Sequence, residues 1–364
     1  ALTGTFRNNI QLDPAGINPV QTGASSLPDI FIAVLDTTAQ FQWGHTLGST
    51  STDQVYDLMY DPAGIIYLGG YFALTVDFDP DPNATQNLIG LGGDGFYAGY
   101  QISNGTFSQV QQIAGPTFSK VNALALAPNQ KIWAGGALYG TADFNPSGAP
   151  FNLSSPASNN SNSFFAAYSG ASFDTAWATQ DREGGNDQAK KSIFLQNGKV
   201  LSTGFFSGGV DFDPDTGQTW LNSYGQEDIY LAQYKNNLSL EWAIKLGGIG
   251  SDAGMAIAED PAGNLYLAGE YEGTLYFENL GQNDSLVGQS NLAAFLAKYS
   301  PQGNLIWIQN ITGNPGFAFI NDLSVNASAQ IAVAGLYQGS ISFDGINMTP
   351  NASNRAAFLA VYDS

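Results

Sequence analysis

The stretch Gly70–Pro80, GYFALTVDFDP, returns in altered form along the whole chain. Its relatives are GTFRNNIQLDP from Gly4, GALYGTADFNP from Gly136, GFFSGGVDFDP from Gly204, GEYEGTLYFEN from Gly269 and GLYQGSISFDG from Gly335. Successive opening glycines therefore lie 66, 66, 68, 65 and 66 residues apart. A period that even, filled with strand-forming residues, signals units that stack their apolar faces on one another. One repeated domain over residues 1–364 follows, although the length alone would suit two ordinary domains.

Between opening glycines the chain carries five strand-like runs, denoted e, a, b, c and d. In the fullest copy they are QFQWGHTLG ending at Gly48, VYDLMYD from Val55, IIYLGGYF, LTVDF and FYAGYQI. Runs c and e alternate apolar and polar residues, as half-buried strands do, whereas b and d are nearly continuous and suit the middle of a covered sheet. Run d reappears as FIAVLD from Phe31, FFAAY from Phe164, IYLAQY from Ile229, AFLAKY from Ala294 and AFLAVY from Ala357. Run e places Trp43, Trp177, Trp242 and Trp307 at what reads as one slot, with Val110 in the remaining copy. The a-to-b turns, DPAG at Asp61 and Asp260 and NGK from Asn197, combine a preset Pro dihedral with a Gly free to take positive φ.

Short antiparallel strands in six related units, with no amphipathic helix, predict an all-β fold: a β-propeller of six repeats of about 66 residues. An open β-solenoid or sandwich array is the other architecture of this class. Runs b, c and d occur six times and runs e and a five times, so the terminal repeats are incomplete. Six full periods would take about 396 residues, about 32 more than the 364 present. A fragment, a ring that tolerates one thin blade, or strands donated by a neighbour would each account for the difference. The last would make the protein a filament subunit.

Composition bounds the function. The 31 acidic and 11 basic residues give a formal net charge of −20, which repels nucleic acid and anionic lipid and leaves cations and glycans open as ligands. With no cysteine there is no disulfide, thiolate metal site or thiol nucleophile. No apolar run is long enough to insert in a membrane as a helix, and Ala1 reads as a mature, trimmed or fragment start. Asn-x-Ser/Thr sequons at Asn83, Asn104, Asn152, Asn159, Asn237, Asn283, Asn310, Asn326, Asn347 and Asn351 are acceptors only in a glycosylating pathway.

GFFSGGVDFDP at Gly204, EDIYLAQYKNNLSLEWAIKLGG at Glu227 and SDAGMAIAEDPAGNLYLAGEY at Ser251 resemble the bacterial SBBP-type propeller repeats, over essentially the whole chain. That resemblance implies a secreted or cell-surface scaffold or adhesive protein of Bacteroidetes-like bacteria, partnered by copies of itself, other surface proteins or glycans, and no single chemistry. YFEN at Tyr276 and SFDG at Ser342 depart from the pattern.

The strongest chemical candidate is the acidic corner, Asp77, Asp79 and Asp81 in DFDPDPN and Asp211, Asp213 and Asp215 in DFDPDTG. Alternating carboxylates in a turn can supply the oxygens that Ca²⁺ requires. The alternative is a strand end, with Phe78 and Phe212 in the core and Pro stopping the ladder. A second series, Asp29, Asp94 and Asp228 before run d and Asp53, Asp187 and Asp252 before run a, recurs in step and points to a structural task such as accepting turn N–H groups. His45, the single histidine, has no G-x-S-x-G elbow beside it and reads as a surface or packing residue. Tyr71, Phe205, Tyr271 and Tyr337 follow the repeat glycine and either pack or stack on sugars. The expected protein is non-catalytic; a lectin or glycan hydrolase or lyase is the competing class, marked by a carboxylate pair or aromatic platform peculiar to one blade.

Overall fold

The computed structural model describes residues 1–364 except 19, 156–159, 183, 216, 280–281, 289–291, 344, 350–354 and 364. Sequons Asn159 and Asn351 and the acidic residue of the sixth corner, Asp344, thus lie outside the described residues. No helix occurs among the described residues, and none long and apolar enough to cross a membrane; spanning by strands is a separate matter.

The chain divides into two compact units, Ala1–Ala178 and Thr179–Ser364. In the first, Leu2–Phe6, Asp29–Leu35 and Phe41–Leu47 form a three-stranded sheet in the order b-d-e. Gln54–Asp61, Ile65–Asp77, Asn87–Gln101 and Phe107–Ile113 form the next, in the order a-b-d-e. Ser119–Leu126, Lys131–Tyr139, Ser161–Ser169 and Ser172–Ala178 repeat it.

The second unit opens with Gln188–Phe194, Val200–Phe206, Asp228–Tyr234 and Leu240–Leu246, again a-b-d-e. Ala253–Glu259, Leu265–Tyr271 and Ala293–Tyr299 pair in turn with the start of Leu305–Val325. The far half of that strand serves as run a for Ile331–Phe343, which also takes Ala356–Tyr362. The strand pairings among the described residues are antiparallel, apart from an isolated parallel bridge between Leu292 and Phe317. Each e run pairs with the d run before it, and the next a run opens a new sheet except in Leu305–Val325, where e and a are one strand. Run c turns aside in the third to fifth repeats, pairing for instance as Thr141–Asp143 with Asn152–Ser154, a partner segment that carries no alternation of its own.

The repeat glycine is there because nothing larger fits. A Cβ on Gly136 would stand 1.9 Å from the Lys120 carbonyl oxygen and 2.9 Å from the Phe164 ring, and one on Gly204 1.9 Å from the Gln188 carbonyl oxygen. Run b therefore lets run a and a ring of run d approach together. That ring meets the phenylalanine of the DFDP corner: Phe78 and Phe96 lie 4.9 Å apart, Phe144 and Phe164 5.0 Å, Phe212 and Tyr230 4.8 Å, Phe343 and Phe358 4.9 Å. Offset or edge-on aromatic pairs in this range add to what burial alone contributes. The tyrosine that ends run d then locks the corner from below. Tyr100, Tyr168 and Tyr234 donate their hydroxyls to the carbonyls of Phe78, Phe144 and Phe212 at 2.9, 3.1 and 3.3 Å.

Two register shifts recur in every complete sheet. One lies early in the a–b pairing, as between Val55 and Asp57 or Ala189 and Lys191, and one near the end of the d–e pairing, as between Val34 and Leu35 or Gln233 and Tyr234. Bulges conserved in place across units bend and twist each sheet alike. The expected single tryptophan slot is corrected by this register. Trp43, Trp242 and Trp307 oppose Val34, Gln233 and Lys298, just past the bulge. Trp177 instead opposes Phe165, two residues further along, because Thr175 occupies the equivalent place; there it stacks on Phe165 at 4.9 Å.

Candidate functional site

The DFDP corners fold as chained caps. Asp77 Oδ1 accepts from the amides of Asp79 at 3.1 Å and Gln86 at 2.8 Å, Asp79 Oδ1 accepts from Asp81 N at 3.0 Å, and Asp81 Oδ1 from Asn83 N at 2.9 Å. Asp211 does the same for Asp213 and Thr219 at 3.1 and 2.8 Å, and Asp213 for Asp215 at 3.0 Å. Such Asx turns give the backbone N–H groups of a tight loop their acceptors. These caps run to Oδ1 of each aspartate; among the described residues no three acidic or histidine side chains come together as a metal-holding group, and Ca²⁺ takes six to eight oxygens, backbone carbonyls and water included. Asp77→Ala is expected to cost about 1–3 kcal/mol, the range for losing an ionised acceptor of two amides. Asp81→Ala, at the exposed loop tip, should stay within about 0.5 kcal/mol. Urea unfolding with and without chelator checks both; a calcium cage would make the midpoint chelator-sensitive, and capping alone would not.

The second acidic series is almost wholly buried: Asp29, Asp53, Asp94, Asp187, Asp228 and Asp252 are each at most 1% exposed. As expected, they hold backbone amides of turns. Asp53 accepts from Ser49 N at 2.6 Å and Ala73 N at 2.9 Å, Asp252 from Gly248 N at 2.7 Å and Glu272 N at 3.0 Å, and Asp228 from Tyr224 N at 2.9 Å. The residue two before the d-strand ring and the residue opening the next a run match in polarity, Asp29 with Asp53, Asp94 with Ser119, Asp228 with Asp252, and Ala293 with Ala318. Where both are aspartates each sits in the other's field. Burial pushes Asp94 and Asp228 up to about 6, and burial together with the Asp228 and Glu272 charges pushes Asp252 up to about 7.

These shifts set the sign of the pH dependence. In the unfolded chain the same carboxyls ionise near the ordinary value of about 3.9, so between there and about 7 the folded state holds more protons and stability falls as pH rises. Asp13, held down by the Asn18 backbone amide, and Asp36, held down by the Thr38 hydroxyl, act oppositely, and their contribution disappears in stronger acid. The melting temperature should therefore peak at about pH 4 and lie several degrees lower at about pH 7.5. Thermal unfolding from pH 3 to 8 checks this, and Asp252→Asn should flatten the neutral limb.

The remaining candidates are structural. His45 donates from Nε2 to the Gly105 carbonyl at 3.1 Å, packs 5.1 Å from Trp43, and has its pKa pushed down by burial. Tyr271 and Tyr337 are core residues, 0% and 3% exposed, and Tyr71 stands edge-on to Phe118 at 4.9 Å. Sequons Asn83, Asn104, Asn152, Asn237, Asn326 and Asn347 are exposed and Asn310 is half-buried.

Two concavities of the second unit were not foreseen: beside recurrent residues such as Asp252 and Phe205 they gather residues that occur in one repeat only, such as Glu227 and Asn222. One, of about 320 Å³, is lined by Phe205, Glu227, Ser251, Asp252, Glu270 and Glu272. Burial pushes Glu270 up to about 7 despite the nearby Lys190 charge, and its Oε2 is out of solvent with no hydrogen-bond partner among the described residues. Ser251 donates its hydroxyl to Glu227, and Lys190 lies 5.1 Å from the centre of the Phe205 ring. A carboxyl of that kind beside other carboxylates can hold a proton near neutral pH and deliver it. The other, of about 470 Å³, is lined among the described residues by Gly185, Gly208, Gly209, Asn222, Ser223 and Gly225.

No family model matches the chain. It is 22% identical, over 424 aligned positions, to an uncharacterised WD repeat-containing protein of Acanthamoeba polyphaga mimivirus, covering 96% of this chain and 30% of that protein. The chain thus spans under a third of the length of this relative. Among solved structures, a protein of unknown function from Dyadobacter fermentans superposes with a TM-score of 0.41 at 12% identity, over 79% of this chain and 76% of the other. Sqt1 from Chaetomium thermophilum gives a TM-score of 0.29 at 12% identity, over 79% and 81%. Scores of that size carry no argument. The chain is an all-β, repeat-built protein with a WD-repeat relative.

Proposed function

We propose that this chain is a six-bladed β-propeller of the SBBP-like repeat type, working outside the cell as a non-catalytic scaffold or adhesion module. The observation that carries the reading is the use made of the recurrent acids: both series are spent on turn amides, so what repeats is architecture. A net charge of −20 and no cysteine, with most described sequons exposed, suit an extracellular surface that keeps nucleic acid away. Partners are other surface proteins, glycans, or further copies. For the last, the edge strands Leu2–Phe6 and Ala356–Tyr362 each pair on one side only, and Leu359 and Val361 on the second are 68% and 63% exposed. A donated strand would cover such an edge.

A second reading is favoured by one observation, the raised Glu270 beside Glu227 and Glu272. It makes the protein a glycan hydrolase with Glu270 as proton donor. A panel of chromogenic glycosides separates the two. The scaffold reading predicts no turnover between pH 5 and 8; turnover that disappears in Glu270→Gln would replace it.

A further inference from the structure

The polar concavity of the second unit has company that no other repeat supplies. Trp220 follows the fourth DFDP corner and opposes Asp211 in a short ribbon, where the corresponding places in other repeats hold Asn87, Asn152, Ser285 and Asn347. Trp220 and Asn222 share one face of their strand. Gly209 lies against both: a Cβ there would stand 2.9 Å from Asn222 Oδ1 and 3.9 Å from Trp220 Cε3. The Arg182 guanidinium lies flat on the indole at 3.5 Å, its backbone amide bonded to the Gly209 carbonyl at 3.0 Å. Beyond Ser223, Lys245 sits 3.4 Å over the Tyr224 ring and donates to the Asn222 carbonyl.

Unused hydrogen-bonding capacity gathers here. Among the described residues no hydrogen bond engages the Asn222 side-chain amide, and no carboxylate pairs with Arg182. The Trp220 indole N–H is out of solvent with no partner, which is costly for a buried donor. Ser223 Oγ accepts from Gly208 N at 2.9 Å, which leaves its own hydrogen to donate. The wall is glycine backbone, amide and hydroxyl, and its volume falls in the range of small-molecule sites, roughly 300–1,000 Å³. Apolar ligands gain little from such a lining. A polyhydroxylated ring gains more, with hydroxyls on the Asn222 amide, the Ser223 hydroxyl and the glycine backbone of the wall, and the Arg182 guanidinium beside them.

We propose that this cleft, lined by Asn222, Ser223 and glycine backbone and adjoined through Gly209 by the Arg182–Trp220 stack, binds a saccharide. The proposal rests on the non-catalytic binding-module reading and names its ligand class. Arg182 has a further consequence: stacking holds its fork rigid, so a sugar carboxylate, if present, would be met in bidentate fashion.

The test is calorimetric titration of the intact protein with lactose, maltose, cellobiose and chitobiose, and with digalacturonate, alongside the variants Asn222→Ala, Trp220→Phe and Arg182→Gln. At least one sugar should bind, about tenfold more weakly to Asn222→Ala, with the melting temperature of that exposed-site variant unchanged. Neutral sugars bound as well as digalacturonate would place recognition on hydroxyls; tighter digalacturonate binding, lost in Arg182→Gln, would assign the carboxylate to Arg182. Either supports the site. Binding to none, or equal binding to Asn222→Ala, overturns it, and a six-bladed ring without sugar binding would remove this inference while leaving the scaffold reading standing.

Discussion

Gly136→Ala is expected to destabilise the protein by about 3 kcal/mol or more, at the upper end of what forced overpacking costs. The new methyl would stand 1.9 Å from a backbone oxygen of the neighbouring strand, and backbone in a paired sheet has nowhere to go. The comparison that gives this number meaning is Gly273→Ala. Gly273 has positive φ, +76°, but open space around it, so only the left-handed backbone penalty of about 1–2 kcal/mol applies. Urea midpoints of the two variants measure the difference directly. Equal losses would mean that the repeat glycines serve turn conformation and that the close approach of runs a, b and d is not what selects them.

The second large effect belongs to the ring that the glycine makes room for. Phe96 is fully buried and touches Phe78 at 4.9 Å and Phe72 at 6.0 Å. Phe96→Ala should cost about 3–5 kcal/mol, the range for emptying a buried aromatic site. Tyr100→Phe, which keeps the ring and removes only the hydroxyl bonded to Phe78 O at 2.9 Å, should cost about 1 kcal/mol. A small loss for Phe96→Ala would show that the DFDP corner is held by its aspartate caps alone.

Much of this arrangement could be read from residue types. The glycine, the DFDP phenylalanine and the a-to-b turns stand at fixed offsets, and Gly64, Gly198 and Gly263 adopt the positive φ their turns demand, +89°, +81° and +85°. The buried aspartates were visible as a series in step with the period. What escaped reading depends on pairing across space. A bulge sets two residues of one strand against one of its partner, and where that happens is decided by the pairing across space, so neither recurrent shift could be placed from residue types, and Trp177 lands two positions from the other tryptophans' slot. The ribbon partners of run c, such as Asn152–Ser154, are too short to show a period. Neither concavity was legible, because Glu227, Glu270, Arg182 and Trp220 occur once each, and a repeat-based reading sees only what recurs. The DFDP aspartates show a use that spacing does not reveal: Asp77 and Asp211 each give Oδ1 to two loop amides.

The matched aspartates tie fold and surface chemistry together. Burying two carboxyls where strands b, d and a meet is tolerated because turn amides pair with them and because protonation relieves the remaining charge. Where the fifth repeat has Ala293 and Ala318 instead, the same turn is kept by the Ala318 amide bonding the Leu292 carbonyl at 3.2 Å, as Asp53 bonds Pro28 at 2.8 Å. The turn is therefore backbone-determined, and the aspartates tune its stability with pH.

The most direct measurement of the central claim is cryo-electron microscopy of the purified protein. The account predicts six sheets arranged radially about one axis, with strands a innermost and strands e outermost, as discs or as chains of discs joined at the edges of Leu2–Phe6 and Ala356–Tyr362. An open row of stacked sheets without a common axis would contradict it.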